Sequence, residues 1–167
     1  GCWKTELACS KKDVRQALDY AIDKKLIIDR LYSAEAAVSK GWGAATPSAL
    51  GYSADLDPFP FDPAKAKELM ARAGYPGGQG FPKLIINTWE AGDVPFMPEQ
   101  AEVIAQMWKD NLGIKVEVVV GDANTIRGRW LGRELDGEVI FRTNEARWDG
   151  GSNYNALYGT LESAARM

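Results

Sequence analysis

The sequence contains no histidine, and this absence removes the commonest metal ligand and the side chain used most often as a general base. Catalysis by a serine–histidine–aspartate or cysteine–histidine arrangement is therefore excluded. Only two cysteines occur, Cys2 and Cys9, and two thiolates without histidine do not make a closed zinc site. They leave two alternatives open, a disulfide that closes a short loop and a pair of free thiols.

Clustered positive charge and long apolar runs are also lacking. The net charge is −3 and no basic run exceeds two residues, so we expect no nucleic-acid partner. No apolar stretch approaches the roughly 20 residues that a membrane span requires. The 167 residues are enough for one domain with a substantial buried core.

Apolar residues at spacings of three and four predict two helices near the start of the chain. The first stripe runs from Val14 to Ile22 and then breaks. Asp23 is predicted to cap the second helix, because its carboxylate accepts a hydrogen bond from an amide of the first turn, that of Lys25 or Leu26. The segment 33–61 shows little periodicity, and long loops of this kind are often functional.

The clearest helical signal in the chain follows that loop. Asp62 is the predicted N-cap, and Pro63 occupies the first helical position, where its missing N–H costs nothing. Gly74 ends the helix in a left-handed conformation. The predicted buried face consists of Ala66, Leu69, Met70 and Ala73.

From residue 83 onward the chain alternates between strand and helix patterns. This order predicts an α/β layer with parallel strands joined by right-handed crossovers. The predicted elements are a strand 83–89, a helix from Pro98 to Leu112, a strand 114–120, a helix 123–135, a strand 138–143 and a last helix 154–166.

Four segments resemble a known family in their order and spacing. They are Asp13–Lys24 ("DVRQAL…AIDK"), Phe61–Pro76 ("FDPAKAKEL…AGYP"), Asn111–Val119 ("NLGIKVEVV") and Gly137–Trp148. Gly41, Pro47 and Gly51-Tyr52 also fit the loop between the first two segments. The sequence is similar in these features to the extracellular solute-binding proteins of family 5, which are the dipeptide, oligopeptide and nickel receptors of ABC importers.

The resemblance implies a fold and an architecture. It implies an α/β lobe of the type II periplasmic-binding-protein kind, with a mixed sheet of parallel strand–helix–strand units flanked by helices. We expect residues 1–11 to be an N-terminal segment and residues 12–167 to form a single lobe, most of the C-terminal lobe of a larger two-lobed protein. The N-terminal lobe of the same chain is then a partner, and the solute binds between the two.

The same resemblance implies a function without catalysis or cofactor. The protein is expected to be the substrate-binding component of an ABC import system, working with a membrane permease. Its expected location is the periplasm or the cell exterior, with a lipid anchor as one form of attachment. Members bind peptides, sugars, opines or metal chelates, and the sequence does not select among these solutes.

Candidate ligand-binding residues follow the last predicted strand. Trp148 matches a family tryptophan at this position. Peptide-binding members carry an aspartate three residues later, where this chain has Gly151, so the usual anchor for a peptide amino group is missing. The other candidates here are Asn144, Glu145, Arg147 and Asp149. The alternative is that Trp148 packs a loop and Arg147 and Asp149 form a solvated charge pair.

Two further tryptophans are candidates for stacking on a solute. Trp42 lies between two glycines that let its indole project, and Trp89 follows a strand end, which in α/β sheets borders the ligand crevice. Both residues have an alternative structural use, since tryptophans in loops also cover cores. Trp108 and Trp130 lie on helical stripes and are predicted core residues.

Two rival functions use the same sequence differently. A carboxylate-based hydrolase needs two acids with separated pKa values, for which Glu90 and Asp149 are the candidates. A stand-alone interaction module needs no solute pocket. The aspartates of the first helices fall at predicted caps or solvated faces and form no calcium-loop pattern, so no metal site is predicted.

Overall fold

The computed structural model describes residues 4–33, 55, 58–92 and 95–142. Their helices are α1 (Lys12–Tyr20), α2 (Lys24–Leu31), α3 (Pro63–Arg72), α4 (Met97–Leu112) and α5 (Ala123–Leu131), and their strands are β1 (Leu84–Thr88), β2 (Val116–Val120) and β3 (Val139–Ile140). Two short 3-10 turns, Ala8–Ser10 and Pro76–Gly78, precede α1 and follow α3.

The three described strands form one parallel sheet in the order β2-β1-β3. Leu84 pairs with Val116 and Thr88 with Val120 along β1 and β2, while Asn87 pairs with Ile140 of β3. Helices α4 and α5 connect the strands in sequence. This arrangement confirms the predicted α/β fold, and it brings the carboxyl ends of all three strands to one edge of the sheet.

Aspartates begin three of the helices, as the sequence pattern predicts for two of them. Asp23 accepts from the amide of Leu26 at 2.9 Å and Asp62 from that of Lys65 at 2.9 Å. Asp122 accepts in the same way from Thr125 at 2.8 Å. Each carboxylate satisfies an amide of the first turn that has no partner inside the helix, so these starts are fixed locally.

The core lies between the sheet and the helices α1, α3 and α4. Val14, Ala17 and Ala66 are fully buried there, together with Leu69 and Ile86. Two side chains of α4 also close the end of α1. Trp108 Nε1 donates to the carbonyl of Leu18 at 2.8 Å, and Asn111 Nδ2 donates to that of Ala21 at 2.9 Å. The prediction that Trp108 is a core residue is confirmed, with 5% of its surface exposed.

The end of α4 and the turn after α3 touch through backbone alone. Gly113 ends α4 at φ 70°, and Gly78 has φ 79°. A Cβ on Gly113 would lie 2.5 Å from the carbonyl oxygen of Gly77, and one on Gly78 would lie 2.5 Å from the carbonyl oxygen of Gly113. Both positions therefore require glycine for conformation and for space.

Three details of the sequence prediction are wrong. Helix α5 ends at Leu131 and not at Leu135, because Arg133 adopts a left-handed φ of 60° that ends the helical path. The predicted strand 138–143 is too long, since β3 spans only Val139–Ile140. Trp130 was expected in the core, yet it is only half-buried.

Residues before α1 pack against the lobe. The Lys11 ammonium donates to the carbonyl of Ala73 at the end of α3, at 2.8 Å, and lies 4.7 Å from the ring centre of Tyr75. Leu7 reaches toward Gly137 near the start of β3. Cys9 is disulfide-bonded, whereas Cys2 lies outside the described residues. The predicted division into residues 1–11 and 12–167 stays a prediction.

The described ranges bear on two classes of protein, those that span a membrane and those that bind a metal ion. Among the helices of residues 4–33, 58–92 and 95–142, none combines the length and the apolar character needed to cross a membrane. Within the same ranges, no group of three or more acidic or cysteine side chains is placed to hold a metal ion.

Candidate ligand-binding site

The carboxyl edge of the sheet is the place where candidate residues from different strands meet. The ladder continues past the strand ends, since Gly121 N donates to the carbonyl of Thr88 and Phe141 N to that of Asn87, both at 2.9 Å. Trp89 follows directly after β1 and is half-buried. In open α/β sheets, ligands bind in the crevice outside this edge. The position of Trp89 therefore agrees with its predicted role, which stays a prediction.

A buried polar pair supports this edge from one face of the sheet. Asn87 is 1% exposed, and its Nδ2 donates to Glu138 Oε2 at 2.6 Å. This bond fixes the segment that leads into β3 against β1. The next residue, Thr88, is fully buried, and its Oγ1 has no hydrogen-bond partner in the described part of the chain.

A cation lies on an indole beside the same edge. The guanidinium of Arg142, two residues after β3, stands over the ring of Trp130 in α5, 5.1 Å from the ring centre. Both side chains are half-buried. Burial and the positive charge of Arg127 hold the pKa of Arg142 below its ordinary value. The sequence interpretation missed Arg142, although an arginine near the end of the predicted strand 138–143 was the available signal.

The loop after β1 is anchored by an aromatic contact. Tyr32 donates its hydroxyl to the carbonyl of Pro95 at 3.2 Å and accepts a hydrogen bond from Gln100. Its ring meets Phe96 edge to face at 5.8 Å. Phe96 begins α4 at φ 65° and is 44% exposed. Burial, and then the charge of Glu99, raise the pKa of Tyr32 above its ordinary value.

The strained backbone of Phe96 occurs next to the candidate site. A left-handed bulky residue costs about 1–3 kcal/mol and is retained where the surroundings hold it in place. Here Tyr32, at the end of α2, supplies that support. The loop after β1 is thus held to the rest of the lobe at its far end, close to the first residues of α4.

The remaining predicted site residues cannot be placed in this geometry. They lie outside the described residues, and their roles stay predictions: Trp42, Asn144, Glu145, Arg147, Trp148 and Asp149. Of the ligand-binding residues predicted from the sequence, Trp89 is the one that lies within the described part of the chain.

Two acidic side chains, Asp13 and Glu117, pair with basic side chains. Arg72 donates twice to Asp13, at 2.7 and 2.8 Å, and this hydrogen bonding holds the pKa of Asp13 below its usual value. Lys83 donates a hydrogen bond to Glu117 at 2.6 Å and in the same way holds the pKa of Glu117 below its usual value. Glu90, one of the two acids of the hydrolase hypothesis, is exposed. A general acid requires a raised pKa, and the pKa values of Asp13 and Glu117 are shifted the other way.

Two curated proteins that are longer than this chain are similar to it in sequence. The chain is 37% identical over 127 residues to heme-binding protein A of Haemophilus influenzae, covering 76% of this chain and 22% of that protein. It is 35% identical over 113 residues to the glutathione-binding protein GsiB of Pectobacterium atrosepticum, covering 66% of this chain and 20% of that protein. The chain therefore spans about a fifth of the length of these curated relatives.

A solved structure shows the same fold. The ABC transporter substrate-binding protein CtaP of Listeria monocytogenes superimposes with a TM-score of 0.76 at 22% identity, over 95% of this chain and 32% of that one. The predicted fold class, a lobe of the type II periplasmic-binding-protein kind, is confirmed. The family model for the middle region of the bacterial extracellular solute-binding proteins, family 5, matches residues 5–165, and the chain belongs to this family.

Proposed function

We propose that the chain is one lobe of the substrate-binding component of an ABC importer, which binds a small solute between two lobes without chemical conversion. The observation that carries this proposal is the carboxyl edge of the parallel sheet, where Trp89, Trp130 and Arg142 offer two indoles and a cation. Aromatic surfaces with a few fixed charges are what a solute pocket requires. The family match over residues 5–165 supports the same function.

The relatives suggest which solutes to try first. One is named for heme and another for glutathione, a tripeptide. We propose a peptide or a similar small solute with planar or charged groups as the class that this protein takes. The permease of an ABC importer is the proposed membrane partner, and the similarity to CtaP supports it. The proposed location is the periplasm or the outer face of the membrane.

The test is thermal unfolding of the full-length protein with tri-alanine, glutathione and heme. A solute at a hundred times its dissociation constant stabilises the folded state by about 2.7 kcal/mol. The unfolding temperature of the full-length protein is therefore expected to rise, by fewer degrees per kcal/mol than for a single small domain. Mass spectrometry of the solute after incubation is expected to recover it unchanged. No shift with any of the three solutes contradicts the proposed function, and conversion of a solute favours the hydrolase.

Trp89 offers a direct test of where the solute binds. Trp89→Ala is expected to weaken binding of the stabilising solute about tenfold, since loss of one stacking indole costs on the order of 1.4 kcal/mol. Lys83→Ala is the matched control, because Lys83 precedes the same strand at the opposite edge of the sheet and pairs with Glu117. Equal affinity of the two variants, measured by isothermal titration, places the solute away from the carboxyl edge.

A further inference from the structure

The place of Arg142 in the sheet is set by the register of β3 on β1. Asn87 pairs with Ile140, and Phe141 N donates to the carbonyl of Asn87. Trp89 and Arg142 each lie two residues after this pair, just beyond the ends of β1 and β3. Both residues are therefore at the carboxyl edge of the sheet. The contact of Arg142 with Trp130 of α5 places it on the side of the sheet that α5 covers.

Helix α5 covers this face and supplies the surface on which Arg142 rests. The guanidinium lies 5.1 Å from the ring centre of Trp130 and is half-buried. A cation over an indole is attracted to the face of the ring, and this attraction does not use the N–H groups of the guanidinium as donors to an acceptor oxygen. Arg127, one turn before Trp130 on the same helix, adds positive charge at this position.

The ion pairs of residues 4–33, 58–92 and 95–142 include neither Arg127 nor Arg142. Two other arginines in these ranges do pair with carboxylates. Arg72 donates two hydrogen bonds to Asp13, and Arg129 lies 3.6 Å from Glu134. A cation withdrawn from water needs a counter-charge, because burial favours the neutral form. Arg142 is such a cation at the candidate site. Burial lowers the pKa of Arg142, and no carboxylate in these ranges pairs with it.

We infer that Arg142, which lies over the ring of Trp130, is the anchor for a carboxylate group of the transported solute. A planar guanidinium presents two parallel N–H donors that match the two oxygens of a carboxylate. One half-buried guanidinium, with the exposed Arg127 as a second cation, suits a solute group that carries a single negative charge. This inference rests on the proposed function and narrows its solute class to acids. Trp89, which follows β1 at the same edge of the sheet, then contacts another part of the solute.

The experiment compares solutes with and without a free carboxylate. Isothermal titration of the full-length protein uses tri-alanine against tri-alanine amide, glutathione against its monoethyl ester, and heme against its dimethyl ester. The acid form of the solute that binds is expected to bind at least tenfold more tightly than its blocked form. Arg142→Gln is expected to abolish that preference by weakening the acid form at least tenfold and leaving the blocked form unchanged. Arg142→Lys should recover only part of the preference, because an ammonium lacks the planar fork.

Arg129→Gln is the matched control, since Arg129 lies on the same helix as Trp130 and pairs with Glu134. It is expected to retain the preference for the acid form. Thermal unfolding without solute checks the fold of each variant, and Arg142→Gln is expected to unfold within 2 °C of the wild type.

The possible results separate this inference from the proposed function. Loss of the acid preference in Arg142→Gln alone supports the inference. Binding of a solute with equal affinity in acid and blocked forms, or unchanged by Arg142→Gln, overturns the carboxylate anchor and leaves the receptor function standing. Absence of binding for all six solutes overturns the proposed function, and the anchor with it.

Discussion

The contact between Gly113 and the turn after α3 permits a quantitative test of how the lobe is packed. Gly113→Ala places a Cβ 2.5 Å from the carbonyl oxygen of Gly77, and backbone on both sides leaves no flexible group to move away. The left-handed φ of 70° alone costs about 1 kcal/mol for a residue with a Cβ. Relief of the overlap requires a backbone shift, and overpacking of this kind costs about 1–3 kcal/mol more. The expected destabilisation is therefore about 3 kcal/mol.

Two other glycines separate the contributions to this figure. Gly80 has a similar φ of 73°, but a Cβ there would meet nothing within 4 Å, so Gly80→Ala carries the conformational cost of about 1 kcal/mol alone. Gly128 lies inside α5 with open space around it, and Gly128→Ala is expected to stabilise the protein by about 0.5–1 kcal/mol.

The assay is thermal unfolding of all three variants beside the wild type, followed by circular dichroism. Each kcal/mol corresponds to about 2–4 °C for a domain of this size. Gly113→Ala is thus expected to unfold about 6–12 °C lower, Gly80→Ala about 2–4 °C lower and Gly128→Ala slightly higher. Equal losses for Gly113→Ala and Gly80→Ala would refute the reasoning, because the close backbone approach would then contribute nothing.

Three further predictions concern the core, a helix cap and the pH dependence. Leu69→Ala should cost about 3 kcal/mol in urea unfolding, since Leu69 is 2% exposed, whereas Lys67→Ala on the outer face of α3 should cost little. Asp62→Ala should cost about 1 kcal/mol and Asp62→Asn much less, because asparagine also caps helices. Asp13 has a folded-state pKa below the unfolded 3.8, so its pairing with Arg72 stabilises the fold above that pH and is lost as the pH falls through the folded value. Asp13→Asn should flatten the acid limb of stability against pH, and an unchanged acid limb at low salt would contradict this role.

Much of the fold could be predicted from the sequence because its signals are local. Asp62 and Pro63 start α3 through hydrogen bonds and backbone angles within four residues, and Gly74 ends it at φ 96°. The predicted end of α5 was wrong because the apolar stripe continues to Leu135. This residue is buried although the helix ends at Leu131. Burial of Leu135 comes from the fold around it and not from helical periodicity.

The candidate site was predictable only in part, for a different physical reason. Trp89 follows a clear strand, and the edge at which parallel strands end is a general rule. The contact between Arg142 and Trp130 depends on how α5 lies across the sheet, and no spacing in the sequence specifies that packing. Trp130 was assigned to the core for the same reason, since a helical stripe indicates a face and not how deeply that face is covered.

The hydrogen bonds from α4 to the end of α1 have a consequence for the order of folding. The carbonyls of Leu18 and Ala21 are satisfied by side chains ninety residues later in the chain. During synthesis, α1 leaves the ribosome well before Trp108 and Asn111 exist, so its last turn stays open to water until α4 has been made. Contacts so distant in sequence form late and slow the folding of a domain. Helix α1 is thus made before α4, yet its last turn reaches its final state only once α4 has formed.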